Sequence, residues 1–191
     1  MSKSRLEAFS DGVIAILITI MVFDLKAPVG ADLAALMTVT PSFLTFVLSF
    51  LYLGIYWNNH HHMLQLTYRI NGAVLWANLH LLFWLSLFPF VTTWLSRSEL
   101  SRLPVALYGG VLLLAAIAYS ILQSTIIKAE GRDSSLKRAV GTDFKGKISM
   151  TAYTIGILLA WQLPIGSVVI YIAVAVMWFI PDRRIEQISI S

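Results

Sequence analysis

Long stretches of the chain carry no acidic or basic side chain and are separated by short charged junctions. Asp, Glu, Lys and Arg are absent from Leu33 to Tyr68, from Ile70 to Ser96, from Leu103 to Ile127 and from Ile148 to Pro181. A bilayer-spanning helix needs roughly 20 mostly apolar residues. The first three stretches therefore predict one span each, over 41–64, 72–95 and 104–127. The fourth holds 34 residues and is punctuated by Gln162-Leu163-Pro164-Ile165-Gly166. Pro and Gly there mark a tight turn, which predicts two short spans, 147–163 and 165–181. A single long kinked helix is the alternative.

The opening segment is different. Only 12 uncharged residues, Gly12 to Phe23, lie between Asp11 and Asp24. They make about 18 Å of helix, too short for a hydrocarbon core of about 30 Å. Lys3 and Arg5 ahead of an apolar run suggest a secretory leader, but Asp11 interrupts the run and no Ala-x-Ala-like site follows Asp24-Leu25-Lys26. The helix is therefore extended to 6–25, which puts Ser10 and Asp11 at or inside the membrane boundary. A polar group there needs a partner and marks a functional site by default. The competing reading is that Ser10 and Asp11 cap a helix beginning at Gly12.

Composition agrees with a membrane protein. Of 191 residues, 58% are hydrophobic and 13% charged, about half the charge of an average soluble domain. The placement of the basic residues then sets the topology. Lys3, Arg5, Arg69, Lys128, Arg132, Lys137, Arg138, Lys145, Lys147, Arg183 and Arg184 fall on one side of a six-span layout. Only Lys26, Arg97 and Arg102 fall on the other. The segregation predicts an all-α membrane protein of six transmembrane helices, one domain over 1–191, multi-pass, with both termini cytoplasmic. The segment Lys128–Lys147 reads as a solvated cytoplasmic connector near anionic lipid.

Enzyme constellations are missing. There is no nucleophile elbow, Walker loop, paired carboxylate arrangement or HExxH motif, and no cofactor is implied. Three consecutive histidines, His60 to His62, point in different directions on a helix and predict no metal site. They read as an interfacial polar cluster, with Asn78 and His80 as candidate partners. Trp57, Tyr68, Trp94, Trp161 and Trp178 sit near span ends, as an aromatic belt does. Nothing predicts nucleic-acid binding. The TVGYG loop of ordinary potassium channels is also absent. In the first helix Gly12, Ile16, Thr19, Ile20 and Phe23 form one stripe. Such a stripe is either ordinary helix packing or the wall of a pore, in which rings of Ile gate by dewetting and Thr19 hydroxyls offer oxygen to a cation.

The run Arg5-x-x-x-Phe9-Ser10-Asp11 followed by Gly12, Ile16 and Thr19 resembles the RxxxFSD signature of the transmembrane protein 175 family, the lysosomal potassium channels and their bacterial relatives. Trp57-x-x-His60-His61, Asn78-Leu79 and Leu87-Phe88-Pro89-Phe90 follow in the family's order. The resemblance implies a homotetramer in the plasma membrane, a first helix lining the pore, and potassium as the permeant ion, passing close to Ile16 and Thr19. It places the constriction at Ile16, with further apolar rings at Ile20 and Phe23. Phe23 departs from the Leu that relatives tend to carry. The resemblance also implies that Arg5, Ser10 and Asp11 hold the pore helix through polar contacts, for which Trp57, His60, His61 and Asn78 are the available partners. A proton-coupled secondary transporter using Asp11 and a histidine is one competing function. A non-conducting membrane scaffold is the other.

Overall fold

The computed structural model describes residues 2–131 and 134–179. Arg132, the last two positions of the expected 165–181 span and the Arg183–Arg184 pair lie outside the described residues. Among the described residues the regular elements are all helices. Helix α1 covers Lys3–Ile20 and tightens into a 3-10 turn over Met21–Asp24. Leu6, Ser10, Ile14, Leu17 and Met21 are its buried positions, spaced so that they share one face. The helix runs straight through Ser10 and Asp11, so these residues do not cap a helix starting at Gly12. The Ser10 hydroxyl donates instead to the Leu6 carbonyl one turn back, 2.9 Å away, a bond made inside a helix.

Helix α2 spans Leu33–Gln65, about 50 Å at 1.5 Å per residue. It starts at Leu33, ahead of the expected 41, because Asp32 accepts a bond from the Ala35 amide at 2.8 Å and supplies an N-cap. Pro41 is carried inside it. The helix expected over 72–95 is made in two pieces, α3 at Gly72–Leu85 and α4 at Phe88–Arg97. Pro89 accounts for the break: it has no amide hydrogen, and its ring would strike the Leu85 carbonyl of an unbroken helix. Helix α5, Arg102–Glu130, ends at Gly131, whose φ of 81° suits a residue without Cβ. The segment 128–147 is not an open connector. It holds the end of α5, the short helix α6 at Ser135–Val140 and the start of α7 at Phe144–Leu159. A turn then leads to α8, Pro164–Phe179.

Among the described residues four segments are long and apolar enough to cross a membrane: Lys3–Asp24, Leu33–Gln65, Gly72–Arg97 and Arg102–Glu130. Helices α7 and α8 have 16 residues each. The centre belongs to α5, which packs on α3, α4, α7 and α8. Its Val105, Tyr108, Leu112, Ala115, Leu122 and Ile126 are buried. Two glycines admit α8 to this centre. A methyl group at Gly109 or Gly156 would run into the Tyr171 ring or hydroxyl, so small residues are what let the three helices close. The interior is stitched by hydroxyls. Thr92 donates to Ser49 at 2.7 Å, Ser49 and Tyr108 share a bond of 2.9 Å, and Tyr52 donates to the Tyr171 carbonyl at 2.6 Å. Helix α1 lies at the edge, against α2, α3 and α4.

Candidate functional site

The two faces of α1 have opposite character. On the inner face Ser10 is fully buried, and its partners follow by elimination. The Ser10 hydroxyl spends its one proton on the Leu6 carbonyl, so it must accept from the Asn78 amide nitrogen, 2.9 Å away. The Asn78 oxygen then faces His60 Nε2 at 2.7 Å, and that nitrogen must carry the hydrogen. This chain ties α1 to α3 and α3 to α2. Asn78 is 0% exposed and His60 1%, so none of these groups is satisfied by water. His60 Nδ1, left as an acceptor, has no hydrogen-bond partner among the described residues, and neither does His62 Nδ1.

A second tie sits closer to the surface. Trp57 Nε1 donates to the Asp11 carboxylate at 3.0 Å. The Trp57 ring stacks on His61 at 6.0 Å and 20°, and His61 Nε2 shares a bond of 2.8 Å with Gln65. Asp11 is thus held by α2, and its neighbour Ser10 by Asn78 of α3 and, through it, by His60, one turn beyond Trp57 on α2. The N-terminal turn is anchored by Lys3, which donates to the Gln65 carbonyl at 2.8 Å and lies 3.9 Å from Glu7. A cation at the carboxyl end of α2 also suits the negative pole of that helix. Arg5 makes no hydrogen bond or ion pair among the described residues, and Phe9 is half exposed. Of the resemblance's anchoring residues, the structure joins Ser10, Asp11, Trp57, His60, His61 and Asn78, and leaves Arg5 and Phe9 outside. His80 pairs within its own helix, accepting from Trp84 at 2.9 Å.

At the far end of α1, Thr93 donates to Asp24 and Arg97 lies 3.5 Å from the same carboxylate. This contact fastens the 3-10 turn to α4. Its only signal along the chain is an Asp and an Arg at two span ends on the same side. The tyrosine cluster of the interior was also hidden. A tyrosine in mid-span, such as Tyr52, is the signal that separates a buried hydroxyl network from an aromatic belt.

The outer face of α1 is the opposite of the inner one. Ile16 is 56% exposed, Ile20 45% and Phe23 83%, and Gly12 and Thr19 are exposed beside them. Thr19 donates to the Ala15 and Ile16 carbonyls at 3.1 and 3.0 Å. Its hydrogen is used within the helix while its lone pairs remain open to an outside donor or cation. Among the described residues nothing packs over this stripe, although the other face of the same helix is fixed at three points along its length.

Comparisons with known proteins point in one direction. Residues 5–89 match the family described as endosomal/lysosomal potassium channel TMEM175. A potassium channel of Chryseobacterium sp. (strain P1-3) is 52% identical over 187 residues, covering 98% of this chain and 97% of that protein. A potassium channel of Streptomyces collinus is 36% identical over 128 residues, covering 63% of this chain and 62% of that protein. The crystal structure of a lysosomal potassium-selective channel TMEM175 homolog from Chamaesiphon minutus superposes with a TM-score of 0.78. It is 27% identical, and the match covers 92% of this chain and 95% of that one.

Proposed function

The chain belongs to the TMEM175 family of potassium channels, which are not enzymes, and from that premise we propose a passive potassium-permeable channel gated by apolar side chains of α1. Four copies assemble around an axis, each presenting its exposed stripe inward. Ile16 then forms the narrowest ring, with Ile20 and Phe23 stacked beyond it. A ring of isoleucines excludes water below a critical width, and a dry segment stops ions without any plug. Thr19, one turn past Ile16, offers hydroxyl oxygens to a partly dehydrated potassium ion. No cofactor takes part.

The observation that carries this reading is the contrast between the two faces of α1. A helix whose polar side is fastened to α2, α3 and α4 is oriented, not loose, and what it is oriented to present is an apolar stripe with one hydroxyl. An apolar surface of this kind in a family of channels fits a pore wall better than a lipid contact, because lipid contact needs no fixed register. The layout that goes with it is six crossings with both termini in the cytoplasm, in the plasma membrane. Helix α7 is about 24 Å long, so the bilayer thins around it or its flanking residues reach to the interface.

The test is flux through purified protein in potassium-loaded vesicles. Potassium should move down its gradient with no energy source, and Ile16→Asn should wet the constriction and raise the rate at least several-fold. Unchanged flux in that variant overturns Ile16 as the gate. Saturating flux that requires a pH gradient and vanishes in Asp11→Asn would point to the coupled transporter, and absence of flux in all variants to a scaffold.

A further inference from the structure

On the side of α2 that faces away from α1 lies a cavity, closed by α5, α7 and α8. Tyr56 and Asn59 of α2, Tyr119 of α5, Tyr153 of α7 and Trp178 of α8 line it, and Asp143 stands at the α7 cap. The space open to the centre of a water-sized sphere is about 40 Å³. Adding back the radius of water, this corresponds to a roughly spherical guest of about 3.5 Å radius. From the carboxylate and the ring faces we infer that this cavity binds a small alkylammonium cation, a ligand class distinct from the permeant ion.

The chemistry selects the guest. Ring faces of Tyr and Trp carry negative charge density and attract cations. Asp143 brings the one carboxylate among the lining residues, beside tyrosine and serine hydroxyls and the Asn59 amide. The nitrogen donors are spent inside the protein, Asn59 on the Ile55 carbonyl at 2.8 Å and Trp178 Nε1 on Ser149 at 2.9 Å, and Tyr119 donates its hydroxyl to the Asn59 backbone carbonyl at 3.1 Å. An anion would meet Asp143 and the ring faces together. A divalent metal wants six or more oxygens, and one carboxylate among rings is a poor site for it. An alkylammonium uses both features, with its methyl groups on the rings and its charge toward Asp143. The Lys145 ammonium stands 5.7 Å from the centre of the Trp178 ring, so a cation on a ring face is a contact this corner makes.

Position gives the cavity a consequence. Tyr56 and Asn59 line it, while their neighbours Trp57 and His60 on the same turns of α2 hold Asp11 and, through Asn78, Ser10 of α1. A guest that draws α2 toward α5 and α7 moves the anchor of α1. Only this consequence rests on the channel reading; the binding does not.

The experiment measures binding itself, so that failure of the site and failure of conduction remain distinguishable. The full chain in detergent is titrated with tetramethylammonium chloride and followed by calorimetry, with sodium chloride at equal ionic strength and tert-butanol as controls. Saturable binding of tetramethylammonium, at least tenfold tighter than tert-butanol, is expected. Asp143→Asn keeps the helix cap and tolerates the left-handed backbone at this position, and should weaken binding at least tenfold. Ala116→Leu fills the cavity without touching Asp143 and should abolish binding. Affinity within twofold of the unmodified chain in both variants, equal affinity for tert-butanol, or no saturable binding overturns the site.

Discussion

Asn78 is the joint through which α1, α2 and α3 are held together, and replacing it by leucine isolates its worth. Asn78→Leu keeps the branched side-chain shape, though with more bulk, and favours the helix, but removes two bonds at once, the 2.9 Å donation to Ser10 and the 2.7 Å contact with His60. Ser10 keeps its own bond to the Leu6 carbonyl, so it loses only an accepted hydrogen. His60 fares worse. Its Nδ1 is already without a partner, and the substitution strips Nε2 as well, leaving a ring that is 1% exposed with no hydrogen bond. One buried donor left unsatisfied costs about 1–3 kcal/mol. Hydrogen bonds between membrane helices average only about 0.6 kcal/mol, because the unfolded chain in a micelle also finds partners. A net loss of about 1–2 kcal/mol follows, since the leucine recovers part of the packing. The assay is unfolding of the full chain in mixed micelles of rising dodecyl sulfate fraction, followed by circular dichroism. A cycle with Ser10→Ala should show coupling of about 0.5–1 kcal/mol, since both variants remove the same bond. Strict additivity, or Asn78→Leu matching the unmodified chain within about 0.3 kcal/mol, would refute the network as described.

Two further substitutions probe the packing and the shallower anchor. Gly109→Ala drives a methyl into the Tyr171 hydroxyl and should destabilise the chain by about 1–3 kcal/mol in the same assay. Gly110→Ala, with open space around it, should be neutral or stabilising. Equal losses at the two glycines would remove the close approach of α5 and α8 as the cause. Trp57→Phe deletes the indole donor to Asp11. Trp57 is 44% exposed, so water compensates and the loss should stay near 1 kcal/mol, with faster amide exchange over the first three turns of α1 as the local signature. Exchange unchanged there would mean that Lys3 and Ser10 fix the helix alone.

How far the sequence could be read depended on whether low dielectric forced the answer. That Ser10, which lies between Glu7 and Asp11, joins this network was implied only by the resemblance. His60 and Asn78 lie in stretches without acidic or basic residues, where a buried polar group needs a partner, and their pairing was legible from residue types alone. Which atom meets which was not, and the positive residue that ties down α1 turned out to be Lys3, while Arg5 stays free of contacts among the described residues. Pro89 was read as part of a motif, yet its mechanical effect is to split the span expected over 72–95 into α3 and α4. A proline in a long apolar run carries both messages, and composition cannot separate them. The mid-span tyrosines were concealed for a different reason. Tyrosine is usual near the interface, so Tyr52 becomes informative only once its distance from the span ends is weighed, and Tyr108, near the start of its span, gives no such signal.

The same reasoning accounts for the two sides of α2. Tyr56 and Trp57 are adjacent, as are Asn59 and His60, and a helix turns about 100° per residue. Adjacent residues therefore belong to different environments. Trp57 and His60 sit three apart and share the face toward α1, while Tyr56 and Asn59, also three apart, share the face toward α5. The doublet spacing in the sequence contains this division, but only packing decides which face meets which helix. Once it is decided, α2 can displace the α1 anchor only by moving as one body, because its two working faces are built on the same two turns. A substitution at Tyr56 or Asn59 that alters exchange at Ser10 and Asp11 without disturbing the α5–α7 contact would show that body in motion. Alteration confined to the cavity would mean the two faces act apart.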